Sequence, residues 1–323
     1  MRLRCGVPPA AKIVIGLSGG ADSVALLLAC LTLQERAEQE ASPVHLAAVH
    51  VHHHLRGRSA DDDADFAAEL CRRFGVTLRT EHVRPGTRSG NVAENARELR
   101  YDALHRVARQ LGAPFIAVGH HADDQFETIL IALCRGAGVE GLAGMPWTRP
   151  LGEGVSLVRP LLAVRRSDCE DFCRAAGVTW RDDPSNADPK NLRARLRRDV
   201  LPLLEELWPD APARAAAGAD AVDAARVTLN ARLEETFGPA TRRQWSREAL
   251  ACLPLPVIAA GLRRAALDAA PGLSDAFGRR LLLPAAEAIV SGDEKPRRFD
   301  WPGGLVLRVT KRQARIDRRD DRD

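Results

Sequence analysis

The alternation of short apolar segments with helical segments in the first 134 residues restricts the fold of this chain more than any other feature. The apolar segments are residues 12–17, 44–51, 76–83 and 114–119. The helical patterns lie near residues 22–36, 60–74, 90–111 and 122–134. Strands that alternate with helices predict a parallel sheet covered on both faces, and uninterrupted apolar strands fit such burial. We therefore predict an α/β fold with a doubly wound, mostly parallel sheet.

The second half of the chain has a different pattern. A turn-rich and then arginine-rich segment covers residues 181–198. Helical patterns rich in Ala, Leu and Arg follow at residues 211–236 and 247–291. Residues 304–316 alternate weakly and predict an edge strand, and the charged last seven residues are expected to fray. We predict two domains: residues 1–210, and a smaller, mainly helical domain over residues 211–323.

The composition is that of an ordinary globular protein, with 45% hydrophobic and 28% charged residues in a chain of 323. It contains no apolar run long enough to span a membrane. The apolar run that starts at Ile13 breaks at Ser18, which argues against a signal peptide and favours a cytoplasmic location. The seven cysteines form no C-x-x-C pair, so reduced thiols are expected rather than a disulfide framework or a zinc ribbon.

A glycine-containing loop joins the first predicted strand to the first helix. Its residues are Ser18, Gly19, Gly20, Ala21, Asp22 and Ser23. Two glycines let the backbone approach an anion, and successive N–H groups at a helix start favour a pyrophosphate. No Gly-Lys-Ser/Thr follows, so the loop is not a Walker A motif. The alternative is a polar turn in which Asp22 only caps the helix.

The sequence SGGADS after an apolar strand resembles the pyrophosphate loop of the N-type ATP pyrophosphatases, or PP-loop family. These enzymes cleave ATP to AMP and pyrophosphate to activate an oxygen for displacement. The resemblance implies an adenine nucleotide alpha hydrolase-like fold, with ATP and Mg²⁺ bound at the loop. It also implies that Asp22 either binds the metal or acts as a base.

Residues 50–59, HVHHHLRGRS, follow the second predicted strand. His50, His52 and His54 share one face of an extended strand, and H-x-H is a known zinc-ligand spacing. No carboxylate or cysteine stands at a fixed spacing from them, which favours a polar strand end instead. The segment also resembles the one that borders the nucleotide site in tRNA(Ile)-lysidine synthetases, which are also named synthases.

Residues 119–145, GHHADDQFETILIALCRGAGVEGLAGM, form the most specific motif. Asp124 and Glu127 share a helix face in the first turn, where the dipole favours carboxylates. The pair can bind an ammonium group or Mg²⁺, or it can simply charge the helix start. The residues Gly136, Gly138 and Gly141 spell G-x-G-x-x-G but follow a helix, so a Rossmann cofactor site is excluded.

The same stretch resembles the signature of the lysidine synthetases, and the resemblance runs in order from about Ile13 to Leu204. Upstream and downstream matches are Glu94, Arg97, Arg100, Tyr101, Arg159–Leu162 and Asp183–Asn186. One departure is clear. The family usually has Arg-Asn before an Ile-Arg pair, whereas this chain has Arg193, Ala194, Arg195, Leu196 and Arg197. Ala194 has no side-chain amide, so only the arginines are carried over.

The resemblance implies a carbon–nitrogen ligase that converts the wobble cytidine of a CAU anticodon in tRNA-Ile to lysidine. The C2 oxygen of cytidine attacks the α-phosphate of ATP, and the ε-amine of L-lysine then displaces AMP. By the family pattern, Asp124 and Glu127 hold the lysine ammonium, and His120 and Arg97 contact the adenylate or the lysine carboxylate. The resemblance also implies a helical tRNA-binding C-terminal part and allows a homodimer.

The arginine-rich helix has two interpretations. Arg193, Arg195 and Arg197 can bind RNA phosphates, as the resemblance implies, or form an ordinary solvated basic face. Three other functions compete with lysidine synthesis. They are a 2-thiocytidine-forming PP-loop enzyme, a small-molecule PP-loop synthetase such as GMP or NAD synthetase, and a non-catalytic RNA-binding protein. The missing C-x-x-C pair argues against the first, and the intact Ser18–Ser23 loop argues against the last.

Overall fold

The computed structural model describes residues 1–39, 44–54, 57–84, 92–181, 191–273 and 276–319. The chain forms two compact units, Met1–Ala221 and Val222–Asp323. The functional division at residue 210 stays a prediction, because compactness does not test which residues bind which substrate. No helix in the described part of the chain is long and apolar enough to cross a membrane.

Unit 1 contains a six-stranded sheet and its covering helices. In chain order, its elements are α1 (Arg2–Cys5), β1 (Lys12–Gly16), α2 (Ala21–Gln39), β2 (His45–His52), α3 (Arg58–Arg73), β3 (Thr77–His82), α4 (Val92–Gln110), β4 (Phe115–Ala117), α5 (Ala122–Cys134), α6 (Val139–Leu142), β5 (Thr148–Gly152), β6 (Val155–Val158), α7 (Arg166–Ala175), α8 (Leu192–Arg195), a π-helical turn (Leu196–Val200), α9 (Leu201–Leu207) and the start of α10 (Ala211–Phe237). The four predicted strand–helix pairs are confirmed.

The strand order of this sheet places the loops of interest side by side. The order is β3-β2-β1-β4-β6-β5, and only β5 runs antiparallel to its neighbour. After β1, the chain forms β2 and β3 on one side of β1 and then crosses over to form β4 on its other side. In such sheets, ligands bind at this point of reversal, outside the carboxyl ends of the strands. The segments that follow β1, β2 and β4 therefore share one rim.

Two apolar layers cover the sheet. Ile13 and Ile15 of β1 pack with α2, α3 and α7 on one face, with Leu27 fully buried there. Val14 points to the other face and packs against α4 through Leu104. The alternation along one strand shows that β1 is buried on both sides, as its unbroken apolar sequence predicts.

Unit 2 contains more strand than its sequence predicts. Its elements are β7 (Gln244–Ser246), α11 (Arg247–Ala251), α12 (Leu255–Ala269), α13 (Arg279–Val290), β8 (Arg297–Trp301), β9 (Leu305–Val309) and β10 (Gln313–Arg318). The strands form an antiparallel sheet in the order β7-β10-β9-β8. The predicted edge strand at residues 304–316 is thus wrong, because that segment supplies the two inner strands. Asp317 and Arg318 are also not frayed, since they pair with β9.

One arginine of unit 2, Arg247, is buried in the interior of that unit. Arg247 is only 6% exposed, and its guanidinium donates to the carbonyls of Ile289, Asp293 and Ala288 at 2.7–2.9 Å. A buried arginine is tolerated when its donors are satisfied in this way. This arginine therefore has a structural role and does not form part of an RNA-binding surface.

Candidate active site

A cavity of about 500 Å³ opens at the point of strand reversal. Its walls include the predicted residues Ser18, Gly20, Ala21, Asp22, Ser23, His120 and Asp124. Four arginines also line it: Arg100, Arg166, Arg181 and Arg197. Guanidinium groups and the amides at a helix start suit a polyphosphate, so the cavity has the chemistry of a nucleotide site.

The loop before α2 is held in shape by the side chain of Ser23. Its hydroxyl oxygen accepts the backbone N–H groups of Ser18 at 3.2 Å and Gly19 at 3.1 Å. The same hydroxyl donates to the carbonyl of Gly20 at 2.9 Å. These bonds curl the loop around the start of the helix. The N–H groups of Ser23 and Val24 donate to the carbonyl of Gly20 at 3.0 Å, whereas those of Ala21 and Asp22 have no acceptor within the helix. Ser23 therefore fixes the shape of this loop, and phosphate binding by the loop stays a prediction.

Two glycines permit close backbone packing around this loop. Gly19 has φ +93°, a conformation that a side chain would strain. A Cβ on Gly119 would lie 2.8 Å from the carbonyl oxygen of Asp22. The loop after β4 therefore rests directly on the first turn of α2. The backbone N–H of Arg181 also donates to the carbonyl of Gly19 at 2.9 Å, which attaches a later segment to the same loop.

Asp22 lies beside a buried histidine that the sequence analysis did not assign. His121 is 2% exposed, and its ring nitrogens lie 3.5 Å from carboxylate oxygens of Asp22, Asp123 and Asp124. Burial lowers the pKa of His121, but the contacts with Asp123 and Asp22 and the charge of Asp124 outweigh it and raise the pKa to about 10. At neutral pH, His121 is thus a cation that holds three acids together.

The backbone amide of Asp124 lies 3.3 Å from Nδ1 of His121, which resembles a helix cap. An imidazolium nitrogen cannot accept that bond, and 3.3 Å is long for a hydrogen bond. Three nearby carboxylates outweigh one long amide contact, so we assign a proton to this nitrogen. Asp22 Oδ1 is buried and has no hydrogen-bond partner among the described residues. That oxygen is available to a ligand.

His120 is neutral and presents a hydrogen-bond donor. Burial lowers its pKa well below the usual value, and the nearby charge of Arg159 lowers it further. Arg159 Nε donates to His120 Nδ1 at 3.2 Å, and an arginine cannot accept a hydrogen bond. The ring proton therefore resides on Nε2. His120 lines the cavity, so it can donate to a substrate oxygen or nitrogen there.

The acidic pair of α5 is bound by two arginines from a distant part of the chain. Glu127 is fully buried, and both of its oxygens contact guanidinium groups, one from Arg193 at 3.1 Å and the other from Arg197. Arg197 also reaches Asp124 Oδ1 at 2.7 Å. Asp124 lines the cavity, whereas Glu127 does not. The geometry makes Glu127 the anchor of the arginines and leaves Asp124 with access to a ligand.

A second cavity of about 360 Å³ adjoins the first. Its lining residues are Arg97, Arg100, His120, Asp124, Met145, Asn191, Arg193, Ala194 and Arg197. Four of them, Arg100, His120, Asp124 and Arg197, line both cavities. The lining combines several guanidinium groups with one carboxylate. Such a pocket suits a small molecule that carries both a carboxylate and an ammonium group.

Not every predicted residue joins these cavities. Arg195 is exposed and lines neither of them, and Glu94 is also exposed. The Asp183–Asn186 match lies outside the described residues. Three further residues of the site, Asp123, His121 and Arg181, were not predicted from the sequence. An HHADD sequence directly after a strand was the available signal for His121, because it places a titratable ring beside several acids at a helix start.

Comparisons with known proteins agree with this geometry. A family model described as a PP-loop domain matches residues 5–204. Relatives named tRNA(Ile)-lysidine synthase include that of Pseudomonas putida, 43% identical over 61% of this chain and 44% of its own length. Others are those of Chromobacterium violaceum, 45% identical over 60% and 43%, and Ralstonia nicotianae, 38% identical over 94% and 63%. The chain thus spans about half the length of the curated relatives it matches.

A solved structure shares the architecture. It is the U34-tRNA thiolase NcsA from Methanococcus maripaludis with its [4Fe-4S] cluster, with a TM-score of 0.56 and 20% sequence identity over 68% of this chain and 76% of that one. This likeness bears on the fold alone. The loop before α2, the sheet order and the family match over residues 5–204 all agree, and the chain belongs to the PP-loop family.

Proposed function

We propose that this chain ligates L-lysine to C2 of the wobble cytidine of tRNA-Ile with a CAU anticodon, at the expense of ATP. The observation that carries the proposal is the pair of adjoining cavities. One is bordered by the PP-loop, and the other combines arginines with Asp124, the one carboxylate among its described lining residues. Four residues line both cavities, so an amino acid bound in the second cavity can attack a substrate that ATP has activated in the first. The names of the relatives support the same reaction.

ATP occupies the first cavity, with its phosphates against the Ser18–Ser23 loop. The amides at the start of α2 and the hydroxyl of Ser18 stabilise the pyrophosphate leaving group. A hard cation fits this site, because Asp22 Oδ1 is a buried carboxylate oxygen for which the described residues supply no partner. Asp22 would hold Mg²⁺, which supplies positive charge to the phosphates when bound.

The target cytidine enters the shared region and is adenylated through its C2 oxygen. A single-stranded anticodon base can be splayed out of its stack into such a pocket. His120, as a neutral donor, contacts the base or the adenylate. The lysine ε-amine then attacks C2, and AMP leaves.

L-lysine occupies the second cavity. Asp124 binds its ε-ammonium group, and Arg97 binds its carboxylate. The free amine has a pKa of about 10.4, so the ammonium must lose a proton before it attacks. Asp22 is the candidate base if it does not bind the metal. We assign Glu127 to holding Arg193 and Arg197 rather than to the ammonium, because Glu127 is fully buried and lines neither cavity, whereas Asp124 lines both.

Binding of the tRNA body is assigned to exposed basic residues, with Arg195 as the first candidate in unit 1. A tRNA contact by residues 211–323, a homodimeric state and a cytoplasmic location stay predictions. The exposed side chain of Arg195 supports its role, since a phosphate contact requires an accessible guanidinium.

A 2-thiocytidine-type reaction is less well supported. Sulfur chemistry on a cluster requires grouped cysteines. All seven cysteines lie in the described residues, and none belongs to a group of three metal-ligating side chains there. Cys169 and Cys173 are buried, and burial raises the pKa of the two thiols to about 12 and about 11. They are therefore protonated and poor nucleophiles at neutral pH.

The direct test is transfer of radiolabelled L-lysine in the presence of ATP and Mg²⁺. The acceptors are a tRNA-Ile transcript with a CAU anticodon and an elongator tRNA-Met transcript. Lysine incorporated only into the first acceptor supports the proposal. Pyrophosphate release that requires tRNA but gives no lysine incorporation would retain the nucleotide site and reject the lysidine reaction.

A further inference from the structure

Three histidines that the proposed reaction does not use converge at the ends of two neighbouring strands. His52 ends β2, and His82 ends β3 directly beside it in the parallel register. His54 follows β2 with φ +53°, and its ring centroid lies 4.1 Å from that of His52. The ring nitrogens that the three side chains offer all lie within 4.8 Å of one another. Three neutral imidazoles at such distances can share one ion.

An acid on the next helix, Asp61, determines which ring nitrogen of a neutral His52 carries the proton. His52 Nε2 lies 3.1 Å from Asp61 Oδ1, and a carboxylate only accepts hydrogen bonds. Nε2 therefore carries the proton, and Nδ1 keeps its lone pair. A carboxylate that fixes the tautomer of a histidine is the usual partner of metal-ligating imidazoles.

The free nitrogen of His52 is an independent observation that points to a ligand. His52 is 3% exposed, and its Nδ1 is buried without a hydrogen-bond partner among the described residues. A buried acceptor without a partner is costly, so most such atoms in proteins bind something. The other two rings are adjacent, with His54 Nε2 and His82 Nδ1 only 2.9 Å apart.

We propose that His52, His54 and His82 form a binding site for a divalent transition-metal ion of the Zn²⁺ class. Imidazole nitrogens suit Zn²⁺, Ni²⁺ or Cu²⁺, whereas Mg²⁺ prefers oxygen ligands. Zinc–nitrogen bonds of about 2.0–2.1 Å place tetrahedral ligand atoms about 3.3 Å apart. His54 Nε2 and His82 Nδ1, which are 2.9 Å apart, already approach this spacing. The rings of His54 and His82 are exposed, so they can move until their distances to His52 also fit.

The site differs from the H-x-H-x-H pattern of the sequence and from the proposed Mg²⁺ site at Asp22. His50 Nδ1 instead lies 2.9 Å from the carbonyl of Leu17 and donates to it. His82, which lies on another strand, takes its place. Three protein ligands leave a fourth position to water or to a nitrogen or oxygen donor in the cavity, which His52 also lines.

The test is Zn²⁺ binding to the full chain without an affinity tag, after removal of metal with a chelator. Competition with a chromophoric chelator gives the stoichiometry and the Kd, and Co²⁺ substitution reports a tetrahedral site by its visible absorption. We expect one Zn²⁺ per chain. His54→Ala and His82→Ala should each weaken binding at least about tenfold, and Asp61→Asn about 10–100-fold.

The matched control is His45→Ala, because His45 is an exposed histidine at the other end of β2. It should bind Zn²⁺ like the parent chain. Circular dichroism checks that each variant is folded, which the exposure of His54 and His82 favours. Sub-stoichiometric binding by the folded parent would overturn the proposal. Equal affinities of His54→Ala, His82→Ala and His45→Ala, or displacement of Zn²⁺ by millimolar Mg²⁺, would also overturn it.

Discussion

The loop before α2 and the acidic face of α5 both face the proposed substrates, yet they are assembled in different ways. In the loop, every partner of Ser23 lies within five residues of it. On α5, Glu127 meets its arginine partners from 66 and 70 residues further along the chain. The loop is thus a product of local sequence, whereas the acidic face is completed only when residues 191–200 pack against it.

This difference has a functional meaning. In the loop, Asp22 Oδ1 has no hydrogen-bond partner in the described part of the chain, so it presents an acceptor to a ligand. On the acidic face, Arg193 and Arg197 enclose Glu127, and only Asp124, which Arg197 also contacts, lines the cavity. Variants in the loop should therefore affect catalysis first, and variants in the network should affect stability first.

The largest effect is expected from Asp22→Asn. The substitution keeps the shape of the side chain but removes the charge that would hold Mg²⁺ or accept the proton from lysine. We expect single-turnover lysine transfer to fall about 10³-fold, or about 4 kcal/mol, with an unchanged Tm. Asp65→Asn, on the exposed surface of α3, is the matched control and should retain full activity. Normal lysine transfer by Asp22→Asn would contradict the assignment.

The next largest effect is expected from Glu127→Gln. The substitution leaves two guanidinium groups facing a neutral amide in a buried position, and we expect a loss of about 3 kcal/mol in the free energy of unfolding. Urea unfolding measures it. Glu206→Gln, at an exposed position of α9, should cost nothing measurable.

A double-mutant cycle sharpens this result. Adding Arg197→Gln to Glu127→Gln removes one of the two guanidinium charges that have lost the Glu127 carboxylate, so part of the lost free energy of unfolding should return. Strictly additive losses would mean that Glu127 and Arg197 do not stabilise each other.

Ser23→Ala tests the loop without changing its charge. The backbone N–H groups of Ser18 and Gly19 lose their acceptor, which should cost about 1–2 kcal/mol and raise the KM for ATP several-fold. Steady-state kinetics at varied ATP concentration measures this. Ser167→Ala, at an exposed position of α7, serves as the control. An unchanged KM would show that the loop holds its shape without Ser23.

The smallest effect is expected from Arg195→Ala. Because Arg195 is exposed, the variant should keep its Tm but lose about one phosphate contact with tRNA. Filter binding at several salt concentrations should give a slope reduced by about one relative to the parent. Arg72→Ala, on α3, removes the same charge elsewhere and should leave the slope unchanged. If both variants lower the slope equally, the effect comes from net charge and not from a contact by Arg195.

The sequence predicts best those parts of the molecule whose causes are local. Strands β1 to β4, helices α2 to α5 and the Ser18–Ser23 loop follow from apolar patterns and from residues close in the chain. The sheet of unit 2 does not, because β8 carries Arg297, Arg298 and Asp300 and lacks an apolar strand pattern. The contact of His121 with Asp22 and the pairing of Glu127 with Arg193 and Arg197 join residues that are distant in the chain, and residue spacing carries no signal for those.

The contact between Gly119 and the start of α2 has a consequence for which sequence changes this protein can accept. A methyl group at position 119 would meet backbone atoms of Asp22 and Ser23 at 2.8–3.1 Å, and backbone cannot swing aside as a side chain can. In a saturation library at this position, selection for activity should return glycine almost alone. Neighbouring Val118, whose side chain packs in the apolar layer against α4, should accept other aliphatic residues of similar volume. The sequence is thus more restricted at Gly119, which has no side chain, than at Val118, whose side chain lies in the core.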